Sequence, residues 1–228
     1  ANALKILDVL QAPLIPVYKG AHTGLVEVGE NASFVHGKDG LGDAGIPSSV
    51  REIDEEPAAI ALIRLAKENQ GELELIAIGP LTNLALAVRL DPSLPTYFKR
   101  LVIMGGAYFS KGNTPNPPAE FNIYADPDAA AVVFANWPNI TMVSWEATVD
   151  HGLPFDQYDS LLNLDNPRSV FLEKVTQRSR DFMKNILDGS MSYAADPLAM
   201  AVLIDPDIIQ VSEKKHVQVE RFGRLSRG

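Results

Sequence analysis

Apolar and polar positions recur along this chain with two different periods, and the switches between them set the expected elements. In residues 3–11, Ala3, Leu4, Leu7 and Leu10 share one helical face, and Lys5, Asp8 and Gln11 lie away from it. Residues 14–18, Leu-Ile-Pro-Val-Tyr, read as a short strand at a sheet edge or strand end, because Pro16 has no N–H to give a ladder. From 19 to 53 neither period holds, and the Gly-rich, polar stretch predicts a long loop of the kind that carries function or mobility.

Beyond that loop the alternation becomes regular. Residues 55–69 predict a helix with Asp54 as its cap and Pro57 in its first turn. Residues 73–78 predict a strand ending at Gly79-Pro80, and 82–90 a helix stopped by Asp91-Pro92. The run 101–104, Leu-Val-Ile-Met, predicts a buried strand ending at Gly105-Gly106. Residues 127–136 predict a helix capped by Asp126, and 140–145 a further strand. Helices are expected over 155–163, 167–187 and 196–204, and a β-hairpin over 208–225 with Gly223 in its turn. Strand–helix–strand alternation with short connections implies an α/β fold: an open, mostly parallel sheet with helices on both faces. No linker or repeat interrupts the 228 residues, so a single domain over 1–228 is expected.

Composition narrows the chemistry. Lys and Arg number 20 against 29 Asp and Glu, a net charge of −9 that argues against nucleic acid or an anionic membrane as partner. The absence of cysteine excludes disulfide scaffolds, thiolate-bound metals and thiol nucleophiles. No apolar run approaches the roughly 18–20 residues of a membrane span. A cytoplasmic location is expected, with secretion as the alternative.

Open α/β sheets bind ligands beyond the carboxyl ends of their strands, so those ends hold the candidate residues. Residues 112–122 place Asn113, Glu120 and Asn122 in a Pro-rich segment. Amides around a carboxylate suit vicinal sugar hydroxyls, but the same residue types also populate an ordinary wet loop. His36 reads either as a ligand-orienting group or as a surface residue. Thr82 and Asp196 read either as helix caps or as oxygen donors to a metal, although one carboxylate and one threonine fall short of the roughly six to eight oxygens of a Ca²⁺ site. Glu146, at a strand end, is expected to be exposed.

Taken together, the strings Val-His-Gly-Lys-Asp-Gly-Leu-Gly (35–42), Ile-Ala-Ile-Gly-Pro-Leu-Thr-Asn-Leu-Ala-Leu (76–86), Val-Ile-Met-Gly-Gly-Ala (102–107) and Ala-Glu-Phe-Asn-Ile-Tyr-Ala-Asp-Pro-Asp-Ala-Ala (119–130) resemble the inosine/uridine-preferring nucleoside hydrolase family in order and spacing. Ser-Trp-Glu (144–146) is similar to animal members. The resemblance implies hydrolysis of the N-glycosidic bond of ribonucleosides by a Ca²⁺-activated water, through an oxocarbenium-like transition state. It implies ribose contacts from Asn113, Glu120 and Asn122, Met104 beside the sugar, and His36 near the base and 5′ end. It further implies Ca²⁺ donors in the Thr82 carbonyl and the Asp196 carboxylate, and a homo-oligomer as the working state. A non-catalytic nucleoside- or ribose-binding relative is the alternative.

Two departures stand out. The family's aspartate cluster, which supplies the general base and most metal carboxylates, has no counterpart here, so no catalytic base is identifiable in this chain. The resemblance therefore implies that these residues are the internal portion of a larger domain, incomplete at both ends. The histidine that often precedes the metal aspartate falls at Ala195, which leaves stacking on Phe182 or Tyr193 as a way to activate the leaving base.

Overall fold

The structure is a computed structural model that describes residues 2–29, 31–115, 118–186 and 189–228. In chain order the elements are α1 (Asn2–Val9), β1 (Tyr18–Lys19), α2 (Ser33–His36), β2 (Asp54–Pro57), α3 (Ala58–Glu68), β3 (Leu75–Ala77), α4 (Thr82–Leu90), β4 (Leu101–Met104), α5 (Phe121–Ala125), α6 (Pro127–Asn136), β5 (Ile140–Val143), α7 (Trp145–Asp150), β6 (Leu153–Pro154), α8 (Phe155–Leu162), α9 (Pro167–Ile186), β7 (Met191–Ser192) and α10 (Ala195–Ile204). Short 3₁₀ turns cover Leu94–Tyr97 and Pro206–Ile208. Contacts divide the chain into two compact units.

The larger unit comprises residues 20–30, 56–150 and 194–228. Its centre is a parallel sheet in the order β3-β4-β5, with Leu75 opposite Leu101 and Leu101 opposite Ile140. Strand β4 explains why an uninterrupted apolar run was needed. Leu101 and Ile103 enter a core with Ala59 and Ala66 of α3, Leu84, Ala85 and Val88 of α4, and Ala129, Ala130 and Val133 of α6. Val102 and Met104, on the other face, pack with Val143, Ala199 and Val202, the last two from α10. Successive side chains of a strand point to opposite faces, and both faces here are covered, so all four β4 residues are buried. Full burial of each such Leu, Ile or Val side chain contributes about 1.5–3 kcal/mol. Alanines at the helix contacts let α4 and α6 pack closely. The expected open α/β architecture is therefore observed.

The smaller unit comprises residues 1–19, 31–55 and 151–193. Here α9 packs with α1, α2 and α8, and β6 pairs antiparallel with β7. Strands β1 and β2 form a two-stranded ribbon, and the Asp54 N–H donates to the Val17 carbonyl at 2.9 Å.

Several boundaries differ from expectation. Asp54 does not cap α3: it begins β2, and Pro57 is the N-cap, with no side-chain bond. The strand expected over 14–18 is reduced to Tyr18–Lys19, past Pro16. The long loop contains one helical turn, α2. The strand expected over 140–145 stops at Val143 because Trp145 and Glu146 start α7. The hairpin expected over 208–225 does not form. Instead the Glu220 carboxylate accepts the N–H groups of Phe222 and Gly223, which turns the chain without a ladder. The last residue of the helix expected over 167–187 lies outside the described residues.

Candidate functional site

The end of β4 is where the larger unit gathers its polar groups. Glu120 is the N-cap of α5 and is only 2% exposed. Its Oε1 accepts the Asn122 N–H at 2.8 Å, and its Oε2 accepts the Gly106 and Ile123 N–H groups at 3.0 and 3.2 Å. Three of a carboxylate's roughly four acceptor positions are thus filled by main chain, which leaves one direction for a ligand hydroxyl. Burial pushes the Glu120 carboxyl above its ordinary range, the nearby negative charge of Asp196 pushes the same way, and the three N–H groups pull back.

Asn122 and Met104 share this corner. The Asn122 amide donates to the Met104 carbonyl at 3.1 Å and reaches its sulfur at 3.2 Å. The Asn122 Oδ1 accepts no hydrogen bond among the described residues. Asn113 is exposed, but its Oδ1 accepts the Phe121 N–H at 2.8 Å and its own N–H donates to the Ala119 carbonyl at 3.0 Å. Glycine suits this corner. A Cβ at Gly105 would stand 3.2 Å from the Glu120 Oε2, and Gly106 has φ +84°. Met104, Glu120 and Asn122 therefore meet, and Asn113 is tied beside them through the main chain of Ala119 and Phe121. Asn116 and Pro117, within the segment 112–122, lie outside the described residues.

The two metal candidates behave differently from expectation and from each other. Neither is a helix cap: Leu81 and Ala194 are the N-caps of α4 and α10, without side-chain bonds. The buried Thr82 hydroxyl donates to the Asp126 Oδ2 at 2.6 Å. Asp126 caps α6 as expected, its Oδ1 accepting the Ala129 N–H at 3.0 Å, and its Oδ2 also accepts the Leu25 N–H at 2.9 Å. Asp196 lies in the first turn of α10 with no hydrogen-bond or ion-pair partner among the described residues. Its carboxyl is pushed above the ordinary range by partial desolvation alone.

A carboxylate with free oxygens and a main-chain carbonyl are the hard donors that suit Ca²⁺. No group of three or more His, Cys, Asp or Glu is placed to hold a metal among the described residues. The donor type fits, and the donor number requires further ligands.

His36, the last residue of α2, belongs to the smaller unit. It is exposed, yet the protein around its ring holds its imidazole below the ordinary value. In the same unit Phe182 meets Phe34 edge-on, with centroids 5.7 Å apart, and the Tyr193 ring lies against Gly152. Ala195, which stands where the family's histidine was sought, is the first residue of α10.

The expectation that Glu146 is exposed fails. It is 6% exposed, and its carboxylate accepts the N–H groups of Phe109 at 2.8 Å, Tyr108 at 3.2 Å and Lys111 at 3.4 Å. Two sequence signals set it apart: its position just past β5, at the ligand-binding end of the sheet, and the Ser-Trp-Glu string.

The family model for inosine-uridine preferring nucleoside hydrolase matches residues 1–228. The chain is similar to uridine nucleosidase 1 of Arabidopsis thaliana, 38% identical over 97% of this chain and 66% of that protein. It is 32% identical to an inosine-uridine preferring nucleoside hydrolase of Leishmania major, over 100% of this chain and 72% of that one. Among solved structures, an inosine-guanosine nucleoside hydrolase superposes with a TM-score of 0.90 at 36% identity, covering 99% of this chain and 72% of that chain. The plant nucleoside hydrolase PpNRh1 superposes with a TM-score of 0.91 at 33% identity, covering 99% and 71%. The chain thus spans about two thirds of the length of the curated relatives it matches. On the match along its whole length and the identity to these relatives, this chain belongs to the inosine-uridine preferring nucleoside hydrolase family.

Proposed function

We propose that the protein containing this chain hydrolyses the N-glycosidic bond of ribonucleosides. Water adds across the bond: C1′–O forms as C1′–N breaks, one water proton leaves with the base, and ribose keeps the new hydroxyl. What carries this reading is the buried Glu120, held by three main-chain donors and set beside Asn122 and Met104. A site that is preorganised in this way needs no rearrangement as cationic character develops on the sugar. Glu120 and Asn122 hold ribose hydroxyls, Asn113 holds the sugar's outer end, and Met104 provides an apolar floor. Contacts to hydroxyls that tighten in the transition state raise turnover rather than only affinity.

Ca²⁺ belongs to the same proposal. Asp196 and the Thr82 carbonyl would supply two of its oxygens, and the chemistry it would bring when bound is polarisation of water. The net charge of −9 favours small uncharged nucleosides over nucleic acid. No helix among the described residues is long and apolar enough to cross a membrane. The relatives are named for uridine, inosine and guanosine, so the proposal extends to pyrimidine and purine ribonucleosides alike.

The test is release of free ribose from uridine and inosine by the full-length protein, followed as reducing sugar. Ribose release in proportion to enzyme is the expected result. Saturable nucleoside binding without ribose would instead identify a binding protein.

A further inference from the structure

The stretch between Gly105 and Asn113 has no hydrophobic anchor at its centre. The rings of Tyr108 and Phe109 lie tilted against each other, centroids 4.3 Å apart at 46°, and remain 56% and 67% exposed. Ser110 and Lys111 are exposed as well, and Ser110 sits at φ +57° in the left-handed region. A segment that buries so little apolar surface must be fixed by polar contacts, and those contacts lead to one residue. The Glu146 Oε1 accepts the N–H groups of Phe109 and Lys111, and its Oε2 accepts that of Tyr108. The adjacent Trp145 N–H donates to the Gly106 carbonyl at 2.9 Å.

Nothing else among the described residues accounts for a carboxylate at this depth. Glu146 forms no ion pair there, and a buried acid is costly unless hydrogen bonds replace its water. The two ends of the same stretch are tied to the sugar cluster. Gly106 donates to Glu120, and Asn113 is joined to Ala119 and Phe121.

We propose that Glu146 is a positioning residue for the hydrolysis, whose buried carboxylate holds residues 108–111 by their main-chain N–H groups and so sets Asn113 against the sugar. This rests on the hydrolase reading above. Its acceptor-only chemistry is what the role requires. An amide at this position would turn an NH₂ group toward N–H donors and lose at least one of the bonds.

The experiment compares Glu146→Gln, Asn113→Ala and the double variant in the full-length protein, by ribose release and by amide hydrogen exchange. Glu146→Gln is expected to lower kcat about ten- to a hundredfold, with KM little changed, because small misplacements of a contacting group carry penalties of that order. The 108–111 amides should lose protection. The double variant should be no slower than the slower single variant, the non-additivity of residues that act through one another. Unchanged kcat in Glu146→Gln, or losses that simply multiply in the double variant, would overturn the proposal. If Glu146→Gln does not fold, Glu146→Asp, which keeps the charge but withdraws the oxygens by one methylene, is read in the same way. Absence of ribose from the unmodified protein would overturn the hydrolase reading and this role with it, and is distinguished by appearing before any substitution is made.

Discussion

Glu120 and Asp196 are both carboxylates pushed above the ordinary range by the protein around them, yet their surroundings differ completely. Glu120 is sealed at the start of α5, with three main-chain donors on its oxygens. Asp196 stands in the first turn of α10 with no partner among the described residues. The first is a finished piece of machinery whose geometry exists before any ligand arrives. The second has its acceptor capacity unspent, the condition of a group that a cation can complete. The charge of Asp196 links the two, because it pushes the Glu120 carboxyl upward and a cation bound at Asp196 would relieve that push.

The most direct way to break this comparison is Glu120→Ala in the full-length protein. Turnover should fall about 100-fold or more, with a smaller change in affinity for the nucleoside, as steady-state kinetics would report. Normal turnover would place Glu120 on the same footing as any capped helix start. A second, smaller effect sharpens the other half. With Ca²⁺ at about 100 times its Kd, the protein should gain about 2.7 kcal/mol over the chelated state, and Asp196→Asn should lose most of that gain in thermal melts. An undiminished Ca²⁺ shift in the variant would remove Asp196 from the donor set.

The smallest expected effect is on pH dependence. Because the Glu120 carboxyl is raised in the folded state, the folded protein holds its proton to higher pH than the unfolded chain does. Its contribution to stability therefore declines as pH rises from the ordinary value of 4.5 through the raised folded value, and is constant beyond it. Glu120→Gln should flatten that part of a denaturation-versus-pH curve. An identical slope in both proteins would mean that burial does not govern this carboxyl.

The sequence announced most clearly what depends on near neighbours. The run Leu101–Met104 is a buried strand because a strand covered on both faces needs no polar alternation, and Asp126-Pro127 opens α6 as a cap and first-turn pair should. The Glu120 cluster was legible as a set of residue types, and its assembly depends both on the α5 cap and on contacts to Gly106 and Met104, 14 and 18 residues apart. What escaped depended on contacts between distant segments. Glu146 looked exposed because its three donors lie 35 to 38 residues earlier in the chain. Thr82 read either as a cap or as a carbonyl donor to a metal, and neither reading foresaw that its hydroxyl serves an acid 44 residues away. The alternation over 208–225 looked like a hairpin, but Glu220 turns the chain by capping two main-chain donors, and no ladder forms.

Asp126 carries a consequence for how this unit is reached from the unfolded chain. One carboxylate joins the start of α6, the first residue of α4 and the N–H of Leu25, contacts separated by 3, 44 and 101 residues. The nearest can form as soon as α6 nucleates, whereas the other two must wait for long stretches of chain to close. Loop closure costs entropy before such contacts can return anything, and chains rich in distant contacts cross their folding barrier slowly. Until that closure the Thr82 hydroxyl and the Leu25 N–H lack this acceptor, so the α6 cap can precede the two distant contacts that the same carboxylate makes.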